Sequence, residues 1–150
     1  MDLVFPAGSP DGERVISQAL LRGGRIIFVT LIPDPEPCGY GGTSWLMELD
    51  ALTGNRLAST PFDLTGNDTI DESDMLVGVI DTNDDNLIDE DDSPMAVSGK
   101  KSKVGIIKTP GVVGAGEVEY KYTSGSTGQM ETTLESVEGG AGRQSWRQLR

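Results

Sequence analysis

Apolar positions crowd the first third of the chain and thin out after it. Arg25-Ile26-Ile27-Phe28-Val29-Thr30-Leu31-Ile32 is β-branched and almost continuously apolar, led by Gly23-Gly24 and closed by Pro33. A run of that length between turn residues predicts a strand covered on both faces. Pro33 to Gly42 reads as a loop. Trp45 to Asp50 alternates with a period of two, which predicts a second strand. It turns at Ala51-Leu52-Thr53-Gly54 and is expected to return as a strand from Arg56. Further strands are expected at Val104–Thr109, stopped by Pro110, and at Val118–Tyr122. Residues 123–142 are rich in Ser, Thr and Gly with little periodicity. The end, Arg143 to Arg150, sets Trp146 between arginines and reads as a docking or closing segment against the alternative of a frayed terminus. The pattern is that of a mainly β chain forming a single region, 1–150, with a tail over 123–150.

Residues 63–92 interrupt this pattern with a different one. Asp63 to Asp74 and Asp81 to Asp92 are each twelve residues long, with oxygen-bearing side chains at positions 1, 3, 5, 9 and 12 and isoleucine at position 8 (Ile70, Ile88). That is the ligand spacing of an EF-hand-like loop. Ca²⁺ takes six to eight oxygens at about 2.3–2.6 Å, and alternate residues of a tight loop can supply them. The first set is Asp63, Thr65, Asn67, the carbonyl of Thr69, Asp71 and Asp74. The second is Asp81, Asn83, Asp85, the carbonyl of Leu87, Asp89 and Asp92. Position 6 needs a left-handed backbone and carries Asp68 and Asn86, the residue types that tolerate it best after Gly. Paired loops are expected to meet through a short β-bridge at position 8. Asp at position 12 is shorter than the usual Glu, which brings the loops closer to dockerin-like ones. Thr65 is a weak third ligand. Only Met75 to Ile80 separate the loops, so two complete helix–loop–helix units do not fit.

Charge sharpens the picture. The net charge is −12, and residues 63–92 hold twelve acidic residues with no Lys or Arg. The acidity is therefore local, and a bound cation would relieve the mutual repulsion. An acidic chain with few aromatics argues against a nucleic-acid partner. There is no histidine, which removes His triads and His-ligated zinc. Ser and Thr are plentiful, yet no base is placed to activate one, and no enzyme activity is expected. The single cysteine, Cys38, is a buried thiol or half of a bridge to a segment outside the chain. No run is long enough for a membrane span. The N-terminus lacks a signal pattern, so the chain is cytoplasmic or its export signal lies upstream.

WLMELDALTGNRL resembles a blade hairpin of the pyrroloquinoline-quinone (PQQ) dehydrogenase type, in which an Asp-x-x-Thr-Gly turn joins two strands through side-chain-to-backbone hydrogen bonds. The longer stretch from Gly12 to Leu57, then PFDLTGNDTIDESD, KVGIIKTPGVV and GRQSWRQLR, together resemble the late C-terminal region of the PilC/PilY family of type IV pilus biogenesis factors and pilus-tip adhesins. The resemblance implies a partial PQQ-type β-propeller, its C-terminal blade region, with the acidic calcium loops inserted. It implies a place at the cell surface, pilus tip or periplasm, with Ca²⁺ linked to pilus extension and retraction. Pilins and minor pilins, and a host or surface ligand, are the partners it implies. The first loop departs from the family's Asp-x-Asn-Gly-Asp-Gly form, and the second is not a standard family feature.

Three functions are compatible with these residues. The first is a calcium-binding, non-enzymatic module of pilus assembly and adhesion. The second is a fragment of a quinoprotein-type dehydrogenase propeller, against which the missing cofactor constellation counts. The third is a dockerin-like calcium-dependent assembly module, against which the β-rich flanks and short gap count.

Overall fold

The computed structural model describes residues 12–36, 41–76, 85–87, 89 and 91–137. Among these the chain is β, with one 3-10 turn at Glu72–Asp74 and no α-helix. The strands are β1 (Arg14–Val15), β2 (Leu20–Arg22), β3 (Arg25–Pro33), β4 (Gly42–Asp50), β5 (Gly99–Lys101), β6 (Gly111–Ala115), β7 (Val118–Ser124) and β8 (Met130–Ser136). β3 pairs along its whole length with β4, from Arg25 opposite Asp50 to Pro33 opposite Gly42. Its other edge takes β2 and then β1 in turn. β5 lies outside β4. The first sheet is thus an antiparallel meander, and β6-β7-β8 form a second. Neither sheet closes on itself among the described residues.

Local chemistry explains the turn between β2 and β3. Arg22 pairs with Arg25 across Gly23-Gly24, and both glycines have positive φ, 57° and 77°. Two left-handed residues in a two-residue loop make a type I′ hairpin, whose twist matches the strands it joins.

The core follows from alternation. Ile27 and Val29 of β3 and Leu46 of β4 are buried and meet Phe62, Val104 and Ile107. Ile26 and Phe28, on the opposite face of β3, are only half-buried. The strand expected to be covered on both faces is therefore fully covered on one. On the covered face β4 contributes Ser44, Leu46 and Glu48, β7 contributes Glu119, Lys121 and Thr123, and β8 contributes Thr133 and Glu135. The inner layer is apolar in one part and charged in another.

Three expectations are corrected. No strand starts at Arg56, because residues 55–60 run irregularly to Pro61 and β4 finds its next partner in β5. No strand spans Val104–Thr109. Gly105 sits at φ 80°, and the N–H groups of Ile106 and Ile107 bond the hydroxyls of Ser126 and Ser44 at 3.0 and 3.1 Å instead of a neighbouring strand. Val104 and Ile107 still reach the core. The segment 123–142, expected to carry little periodicity, contains β8, whose polar Thr133 and Glu135 face inward and hide the strand from a hydrophobic pattern.

The turn after β4 behaves as its Asp-x-x-Thr-Gly sequence requires. Asp50 Oδ1 accepts from the N–H of Leu52 and Thr53 and from Thr53 Oγ1, at 3.1, 2.7 and 2.8 Å. Hydrogen bonds from Thr53 hold the Asp50 carboxyl below its ordinary pKa. The turn's preference for the charged form is present above the ordinary aspartate pKa and lost as pH falls through the depressed value. An NMR titration should place the Asp50 midpoint below that of free aspartate, and Thr53→Val should move it upward. An unmoved midpoint would show that the Thr53 hydroxyl, as distinct from its N–H, does not hold the carboxylate.

Candidate functional site

Two strands that are neighbours in the first sheet, β4 and β5, bracket the acidic segment in sequence. Its root is clamped to the second sheet. Phe62 forms an isolated bridge with Glu135, Asp63 N–H bonds the Leu134 carbonyl at 3.2 Å, and Ser136 N–H bonds the Pro61 carbonyl at 3.0 Å. Leu76 and Met95 then exchange both backbone bonds, at 2.9 and 2.8 Å. This bridge lies outside the loops and not at position 8. Ile70 is half-buried, and Ile88 lies outside the described residues, so the expected Ile70–Ile88 bridge falls outside them too.

The first loop is complete in the structure. Asp63, at position 1, accepts from the N–H of Gly66 at 2.6 Å and of Asp68 at 3.0 Å. Asn67, at position 5, accepts from the N–H of Thr69 at 2.9 Å and from its hydroxyl at 2.6 Å. Asp71, at position 9, accepts from Ser73 N–H and Oγ at 2.8 and 2.6 Å, which holds its carboxyl below the ordinary range. Asp74, at position 12, accepts from Leu64, Thr65 and Asp71 N–H at 2.7, 2.9 and 3.2 Å. Thr65 Oγ1 lies 3.4 Å from Asp63 Oδ1. Neither Asp63 nor Asp74 makes an ion pair with a Lys or Arg among the described residues.

The described part of the second loop repeats this wiring. Asp85 accepts from Leu87 N–H at 2.7 Å, Asp89 from Asp91 N–H at 3.0 Å, and Asp92 from Asp89 N–H at 3.0 Å. These are the same positions, 5 to 7, 9 to 11 and 12 to 9, as in the first loop. Asp68 and Asn86 have φ of 61° and 68° and are the only non-glycine residues with positive φ among those described. Both occupy position 6. Asp63, Asp74 and Asp92 are buried, while Asp71, Asp85, Leu87 and Asp89 are exposed. Asp81 and Asn83, expected at positions 1 and 3, lie outside the described residues. Donor type and backbone shape fit Ca²⁺. Among the described residues, however, no group of three or more His, Cys, Asp or Glu side chains is placed to hold a metal ion.

A second cluster escaped the sequence reading. Lys121 is fully buried and touches Glu48, Glu119 and Glu135, with Glu119 Oε1 at 3.2 Å. Arg25 lies 3.0 Å from Glu48 and 3.3 Å from Glu119, and Arg22 lies 2.5 Å from Glu119. Three cations meet three carboxylates. Burial pushes Glu48 up despite Lys121 and Arg25, and burial pushes Lys121 down despite its carboxylates. Burial would raise Glu119 too, but the Arg22 hydrogen bond and Lys121 hold it below its ordinary range. The available signal was inversion of the usual pattern. Glu119-x-Lys121 alternates with Val118, Tyr120 and Tyr122, and here the charged positions face inward.

No family model matches the chain. It is 32% identical over 162 residues to a protein of Xylella fastidiosa named type IV pilus biogenesis factor PilY1 homolog, covering all of this chain and 11% of that protein. It is 33% identical over 64 residues to type IV pilus biogenesis factor PilY1 of Pseudomonas aeruginosa, covering 43% of this chain and 6% of that one. The crystal structure of the Pseudomonas aeruginosa PilY1 C-terminal domain matches 87% of the chain with a TM-score of 0.58 and 21% identity, over 21% of that structure. The chain spans about a tenth or less of the length of these curated relatives. No helix among the described residues is long and apolar enough to cross a membrane.

Proposed function

The chain belongs to the PilC/PilY family of type IV pilus biogenesis factors, as part of its C-terminal region, and we propose that within it the chain is a calcium-responsive, non-enzymatic module of pilus assembly and adhesion. The observation that carries the calcium reading is the repeat. Two loops of one spacing share three internal hydrogen bonds at matching positions, and each puts its position 6 in the left-handed region. Asp63, Thr65, Asn67, the Thr69 carbonyl, Asp71 and Asp74 would hold one ion. Asp81, Asn83, Asp85, the Leu87 carbonyl, Asp89 and Asp92 would hold the other. A bound ion supplies positive charge to a segment that has none of its own. The sheets act as the frame, β8 fixing the root of the first loop. The meander of the first sheet suits one blade of a propeller completed by the rest of a longer protein. Pilins and minor pilins are the partners this reading assigns, with a surface or host ligand for adhesion, at the pilus tip, cell surface or periplasm.

Calorimetry tests the reading. Ca²⁺ should bind with a dissociation constant of roughly 10⁻⁵–10⁻³ M and in preference to Mg²⁺, which demands stricter octahedral geometry. Asp81→Ala or Asp92→Ala should weaken binding more than Thr65→Ala, since a carboxylate brings a full charge and a hydroxyl only a dipole. Calcium should also slow amide exchange over residues 63–92 and leave 25–32 largely unchanged. No heat at several times the upper concentration would reject the calcium reading.

A further inference from the structure

The buried charge network holds two guanidiniums, one ammonium and three carboxylates, so two carboxylates keep a guanidinium partner if the third leaves with the ammonium. The guanidiniums of Arg22 and Arg25 pair with Glu119 and Glu48. Lys121 and Glu135 remain. Both side chains are 0% exposed and in direct contact. They sit on adjacent strands, Lys121 opposite Thr133 and Glu119 opposite Glu135, so the pair is a diagonal neighbour on one inner face. Both Glu135 oxygens are buried and receive no hydrogen bond, although Oε2 touches Lys121 Nζ. An ionised carboxylate in that position carries a desolvated, unsatisfied oxygen. Burial disfavours both charges, and transfer of one proton turns the ion pair into an amine facing a carboxylic acid.

We propose that Lys121 and Glu135 condense into an intramolecular amide cross-link between β7 and β8, with Glu48 as the proton carrier. The Lys121 ammonium first gives one proton to the Glu135 carboxylate. The Nζ lone pair then attacks Glu135 Cδ and forms the C–N bond. Glu48 Oε1, in contact with Nζ, takes a second proton and returns it to the departing hydroxyl. The Cδ–O bond breaks with its electron pair on oxygen, and one water leaves. An ammonium and a carboxylate become an amide and a water, with no oxidant, reductant or co-reactant. Held in contact, the groups react at an effective concentration that can reach the order of 10⁵–10⁸ M, in a site that excludes the water needed for hydrolysis. Arg25 Nη1, 3.0 Å from Glu48 Oε2, fixes the carrier in place. Burial pushes Glu48 up, which suits it to holding a proton in transit. After the bond forms, two guanidiniums still balance two carboxylates. The bond ties β7 to β8, the strand whose Leu134 and Glu135 hold the root of the acidic segment.

Mass spectrometry of the purified full chain tests this. The intact mass should be one water below that of the sequence. Trypsin should fail to cut after Lys121, leaving residues 109–143 as one peptide that carries the loss, with fragmentation placing the amide between Lys121 and Glu135. Lys121→Arg and Glu135→Ala should each show the full sequence mass. Glu48→Gln should show a smaller cross-linked fraction than the natural chain. A natural chain at full mass that is cut after Lys121 overturns the proposal, whether or not any variant folds. A loss mapped to Glu48 or Glu119 overturns the assignment to Glu135. Complete cross-linking in Glu48→Gln overturns the role of Glu48.

Discussion

Lys121→Ala is expected to destabilise the chain by about 3–5 kcal/mol, the range for removing one member of a buried, paired charge group. Lys121 is the point where Glu48, Glu119 and Glu135 converge, and its removal leaves Glu135 a buried carboxylate with neither an ion-pair nor a covalent partner. Denaturant midpoints at several pH values should show more than the size of the loss. In chains without the Lys121–Glu135 bond, Lys121 is the largest of the charges that pull the Glu48 pKa down against burial, so the variant's Glu48 sits higher than theirs. A folded-state pKa above the unfolded value contributes stability that is fully present below the ordinary glutamate pKa. That contribution is lost as pH rises through the raised value. The deficit of the variant should therefore grow toward neutral pH and shrink in acid. Pairing Lys121→Met with Glu135→Gln removes both charges at similar volume and should lose less than Lys121→Ala alone. An equal loss would show that the lysine stem, and not the stranded carboxylate, is what matters.

How much of this was legible in the sequence depends on where each residue's partners lie. β3, β4 and β7 could be read because their apolar positions alternate or run on between clear turn residues. β5 could not, since Gly99-Lys100-Lys101 has no apolar side chain and exists only because β4 offers it an edge. β6 is glycine-rich, and β8 buries Thr133 and Glu135 where a pattern reader expects hydrophobes. Val104 to Thr109 erred the other way. Its apolar residues do reach the core, but a left-handed Gly105 and two serine hydroxyls satisfy the backbone without a strand.

The candidate site divides along the same line. The acidic loops are local objects, with every donor within twelve residues, so spacing alone predicted the left-handed turns found at Asp68 and Asn86. The charge network is not local. Lys121 meets Glu48 across 73 residues and Arg25 meets Glu119 across 94, distances at which no single-sequence pattern operates. Only the packing of two sheets brings these charges together, and only the fold reveals that they face inward.

Phe62→Ala should be nearly as damaging, at about 3–5 kcal/mol, and should harm two properties at once. Phe62 is fully buried in the core it shares with Ile27, Val29, Leu46, Val104 and Ile107, so truncation removes transfer energy and leaves a cavity in that core. It also sits one residue before the first loop and bridges Glu135. Asp63 N–H, bonded to Leu134, depends on that placement, and Asp63 in turn orders the N–H groups of Gly66 and Asp68. A loosened root therefore raises the ordering cost of the loop, and calcium affinity should fall together with the urea midpoint. Ile27→Val, in the same core but away from the root, should cost about 0.5–1.5 kcal/mol and leave calcium affinity unchanged. Leu52→Ala, at a residue 94% exposed, should change neither property by more than about 0.5 kcal/mol. If Phe62→Ala lowered the midpoint while calcium affinity stayed as in the natural chain, the loop would be shown to order independently of the sheets that carry it.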